Sequence, residues 1–100
     1  MFPRRFQQLV SDAHQGGAAL EDAAHATVLQ AVHDGSLTPD LSTARIFVAE
    51  LIGANHPDRA RLQVATACVD SPDAAIRVIT DVLTTACAAT GAPVLAAFAA

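Results

Sequence analysis

The chain contains no lysine, tyrosine or tryptophan, and only two cysteines, Cys68 and Cys87, in 100 residues. Without lysine, every basic group is an arginine. The six arginines are dispersed, and ten acids bring the formal charge to −4. An acidic chain with scattered cations lacks the phosphate contacts that make nucleic-acid or anionic-membrane binding strong. No stretch reaches the ~18 consecutive apolar residues of a membrane span. Met1 to Val10 carries Arg4 and Arg5 with no apolar stretch behind them, so no secretory signal is expected. A reducing cytoplasm is then the expected setting, which disfavours a structural disulfide.

Motifs that carry chemistry are missing as well. The four histidines (His14, His25, His33 and His56) form no HxxxH pair, and the cysteines form no CxxC. His25 and His33, eight residues apart on one helix, stand about 12 Å apart along its axis, too far for one zinc ion. Gly16-Gly17 lacks both the Gly-Lys-Ser/Thr of a phosphate-binding loop and the third glycine of a dinucleotide turn. No serine sits in a Gly-x-Ser-x-Gly elbow. Cys68 and Cys87 fall on apolar arcs, which points to buried thiols rather than a reactive thiolate. No metal, cofactor or enzymatic role is expected.

What the chain has is alanine, 23 residues of it. Alanine is the best helix former and a poor strand former. Together with arginine in place of lysine, it points to a GC-rich bacterial gene. Apolar residues recur at helical spacing through most of the chain. Phe2, Phe6, Leu9, Val10 and Ala13 mark a first helix that Gly16-Gly17 ends. Leu20, Ala24, Thr27, Val28, Ala31 and Val32 mark a second, over about 18–34, with Gly35 at the left-handed position that closes helices.

Three Pro-Asp pairs then recur as start signals: Thr38-Pro39-Asp40, His56-Pro57-Asp58 and Ser71-Pro72-Asp73. Each predicts a cap, a proline in the first turn and an acid on the positive end of the helix dipole. The helix from Pro39 to about Ala54 buries Leu41, Ala44, Phe47, Val48, Leu51 and Ile52. It turns Thr43 and Arg45 away and leaves Ile46 outside. The helix over 57–70 has a narrow polar strip of Arg59, Gln63, Thr66 and Asp70. The helix over 72–90 buries Ile76, Ile79, Val82, Leu83, Ala86 and Cys87, and Gly91-Ala92-Pro93 is expected to stop it.

The expected architecture is all-α: one domain over 1–100, a compact bundle of about five short amphipathic helices, with 92–100 as an apolar C-terminal tail. The alternative is an α+β domain in which 43–54 and 59–70 pair as a β-hairpin. Thr38-Pro39-Asp40-Leu41, Ala44, Ile46-Phe47-Val48 and Leu51 resemble the second-strand region of ribosome-binding factor A, a KH-like RNA-binding family. The resemblance covers about 16 residues. It implies that hairpin and an RNA partner, but the family's basic surface and Ala-Gly helix kink are absent.

The expected function is that of a small protein-interaction or regulatory module that pairs with a protein partner or with itself as a homodimer. The contact residues would be Leu29 and Ile46, apolar outliers from the core stripes, and Val94, Leu95 and Phe98 of the uncharged tail. A nucleic-acid-associated regulator, of helix-turn-helix or KH-like type, is the alternative.

Overall fold

A computed structural model describes the backbone of residues 2–99 and the side chains of residues 3–88. Five helices follow one another: α1 (Phe2–Gln15), α2 (Leu20–His33), α3 (Leu41–Leu51), α4 (Arg59–Ala67) and α5 (Pro72–Ala99). No strand occurs among the described residues. The expected all-α bundle is what the chain forms, and the 43–54/59–70 hairpin is not. Those two segments are α3 and α4, so the local resemblance to a KH-like strand does not extend to structure. At period 3.6, α3 puts Ala44, Phe47 and Val48 on one arc; at period 2, Phe47 and Val48 would have to face opposite ways.

Helix α5 organises the bundle, because it packs against all four of the others. Its buried residues Ala75, Val78, Ile79, Val82, Leu83 and Ala86 recur every three or four positions. The other helices each give this spine a short stripe. Phe6 and Val10 come from α1, Ala24 and Val28 from α2, Phe47 and Val48 from α3, and Leu62 from α4. Phe6 and Phe47 meet with ring centroids 6.0 Å apart, tying α1 to α3. Leu37 and Ile52, in the links after α2 and α3, are buried as deeply as the helical residues.

The helix boundaries follow local chemistry. Gly17, at φ 111°, ends the turn after α1, and Gly35, at φ 82°, closes α2 as expected. These are left-handed conformations that a Cβ disfavours. The three Pro-Asp pairs do start helices, but not by one rule. At the third, Ser71 Oγ accepts from the Ala74 N–H and Pro72 opens the helix. At the first, the expected capping by Thr38 is replaced by Asp40, whose carboxylate accepts from the Thr43 N–H at 2.8 Å. Helix α3 therefore starts at Leu41 rather than Pro39. At the second, Asp58 takes the cap position without a side-chain capping hydrogen bond.

The far end of α5 corrects another expectation. Helical backbone continues through Gly91 and Pro93 to Ala99. Pro93 forfeits one helical hydrogen bond, while the alanines on both sides of it are the strongest helix formers. The tail residues Val94, Leu95 and Phe98, and Phe2 at the other end, lie outside the described side chains.

Candidate functional site

The expected contact residues can be placed where side chains are described. Leu29 on α2 and Ile46 on α3 are exposed by 44% and 46%. Helices α2 and α3 do not touch, so these two side chains do not share one patch. Two further large apolar side chains stand out in the same way: Leu9 on α1, at 47%, and Val64 on α4, at 65%. Leu9 sits on the apolar stripe expected for the first helix. Among the described residues of that stripe only Phe6 and Val10 reach the core, because α1 meets its neighbours along a narrower line than the stripe. Leu9 lines a depression of about 420 Å3 between α1 and α2, together with Ala26 of α2. Leu29 follows Ala26 by one turn on α2 but is not among the residues lining the depression.

That depression has charges of both signs, from Arg5 and Asp34. The Ser36 hydroxyl and N–H both donate to the Asp34 carboxylate and hold its pKa below the usual range, with smaller help from Arg5 and His33. This is the turn that closes α2, and its polar groups are occupied by that task.

A second concavity differs in kind. Between α3 and α4 runs a groove of about 330 Å3. Arg45, Val48 and Ala49 line it from α3, at spacings of three and four that place them on one face. Arg59, Gln63, Thr66 and Ala67 line it from α4 by the same periodicity. The α3–α4 turn aims Arg59 into the groove. Its Nη1 donates to the Ile52 carbonyl, and the turn is braced by the Asp58 N–H donating to His56 Nδ1 at 3.0 Å. Thr66, expected on a polar strip, is buried, and its hydroxyl is satisfied by donating to the Leu62 carbonyl at 2.8 Å. Thr43 is likewise buried, not turned outward.

The expected burial of both thiols holds only in part. Cys87 is half-buried, its Sγ 3.6 Å from the Gln7 carbonyl, and burial pushes its pKa up. Cys68 is exposed, because α4 ends at Ala67 and the thiol falls on the capping residue beyond the packed turn. The two cysteines are free. Among the described residues no group of histidines, cysteines and acids is placed to hold a metal, and no helix is long and apolar enough to cross a membrane.

No protein-family model matches the chain, and no curated protein or solved structure matches it significantly.

Proposed function

We propose that this chain is a small, non-enzymatic protein-interaction module that self-associates, with the α1–α2 side as the first contact surface. The supporting observation is surplus apolar surface. Phe47, Ile52, Leu62, Ile79 and Leu83 are fully buried in the core, yet Leu9, Leu29, Ile46 and Val64 remain between 44% and 65% exposed. Isolated apolar residues are ordinary on a surface, but Leu9 at an interhelical depression and Leu29 on the neighbouring helix offer pairing apolar surface to cover. Identical patches meet across a two-fold axis in a homodimer. The uncharged segment 92–100, with Val94, Leu95 and Phe98, and the separate Ile46 are further contacts for a protein partner. A reducing, cytoplasmic setting is part of the same reading.

Size-exclusion chromatography with light scattering tests this reading. The wild-type chain is expected to run heavier than its 10.3 kDa monomer mass. Leu29→Glu is expected to return it to that mass without changing the helical circular dichroism. A wild-type protein that stays monomeric at every concentration rejects self-association. Nucleic-acid association keeps only its helix-turn-helix form, and the outer face of α3 offers a single cation, Arg45, beside Ser42, Ile46 and Ala49. Failure to bind duplex DNA at low salt is the expected result.

A further inference from the structure

The arginines of this acidic chain divide by what answers their charge. Arg61 is neutralised within the fold, with Nη1 2.7 Å from Asp81 Oδ2 and Nε 3.6 Å from Asp58 Oδ1. Arg45 and Arg59 make no ion pair with any described residue, and both line the α3–α4 groove. No carboxylate is among the residues lining it. Arg59 is half-buried, and its bond to the Ile52 carbonyl fixes the guanidinium while leaving its other N–H groups uncommitted to described residues. Two guanidiniums on one concave surface of a protein with charge −4 are an electrostatic exception.

We propose that the α3–α4 groove binds a small amphipathic oxyanion, a carboxylate or phosphate group carried on a compact apolar body. The guanidinium fork matches the geometry of either head group, and its charge-assisted hydrogen bonds are among the strong ones. Arg45 stands on the α3 wall and Arg59 on the α4 wall, and the Gln63 amide adds a further donor. Val48, Ala49 and Ala67 supply an apolar bed for the body. The volume, about 330 Å3, falls at the small end of small-molecule sites. Thr66 is not a ligand, because its hydroxyl is already donated to Leu62. The site goes beyond self-association and does not depend on it, since a single chain contains the whole groove.

The test is a nitrogen–proton NMR titration of the full chain with hexanoate and with hexyl phosphate. Hexanol and inorganic phosphate serve as the two half-ligand controls. Saturable shifts are expected on Arg45–Ala49 and Arg59–Ala67, with either anion binding more tightly than hexanol or inorganic phosphate. The ratio of the two anions then names the preferred head group. Arg45→Gln is expected to weaken binding about tenfold or more. Ala49→Glu, which sets a competing carboxylate in the groove, is expected to abolish it with circular dichroism unchanged. Arg59→Gln also removes the tie to Ile52, so Arg45→Gln and Ala49→Glu decide the matter. Any one of four results overturns the site: no shift in the groove with either anion, hexanol binding as well as hexanoate, wild-type affinity in Arg45→Gln, or wild-type affinity in Ala49→Glu.

Discussion

Two polar side chains show how much individual residues matter here. The Thr43 N–H, and then its hydroxyl, hydrogen-bond the Asp40 carboxylate and hold its pKa below the usual aspartate range. A depressed folded-state value stabilises the protein above the unfolded pKa, and that contribution is lost as pH falls through the folded one. In Asp40→Asn the substituted amide keeps a capping oxygen but does not titrate. The wild type is therefore expected to exceed this variant in thermal midpoint by a constant margin above about pH 5, and the margin is expected to shrink below about pH 4. A margin unchanged down to pH values near 2 contradicts the cap's electrostatic part. Thr80 is the opposite case. Its Oγ1 is buried with no hydrogen-bond partner among the described residues. Thr80→Val keeps the shape and removes an unsatisfied hydroxyl, so it is expected to stabilise the fold by about 1 kcal/mol in urea melts. Destabilisation shows instead that the hydroxyl has found a partner.

At the scale of elements, the helices differ in how firmly they are held. Helix α4 has nine residues and buries only Leu62 and Thr66, whereas α5 buries a continuous stripe from Ala75 to Ala86. Native-state hydrogen exchange is expected to open α4 first and the Val78–Leu83 amides last. Equal protection in the two contradicts the ordering. Leu62→Ala removes the main anchor of α4 and is expected to cost about 2–5 kcal/mol. Much of this is legible in the residues alone. The stripes of α3 and α5 separate cleanly at period 3.6, and most of the core follows from them. Boundaries are less legible, because one Pro-Asp signal serves three different caps and a proline between alanines does not end a helix. The groove is not legible as a site. Spacing turns Arg45 away from the core and sets Arg59 and Gln63 on a polar strip, but periodicity within a helix does not reveal which outer strips a turn brings face to face. The turn from Ile52 to Asp58 does that, through bonds to a backbone carbonyl and a histidine that no spacing rule encodes.

At the scale of the whole molecule, the described residues bury a core within a single chain while large apolar side chains remain outside it. The same surface has two arginines on one groove without acids to meet them. We attribute pairing of chains to the first feature and anion binding to the second, and the two are separable because Leu29, the residue changed to test pairing, lies on α2, outside the groove. Sedimentation equilibrium over a wide concentration range tests the central claim most directly. Self-association predicts a mass-average that rises from the 10.3 kDa of one chain toward twice that value, and stays at one chain for Leu29→Glu. A wild-type mass fixed at 10.3 kDa throughout contradicts it.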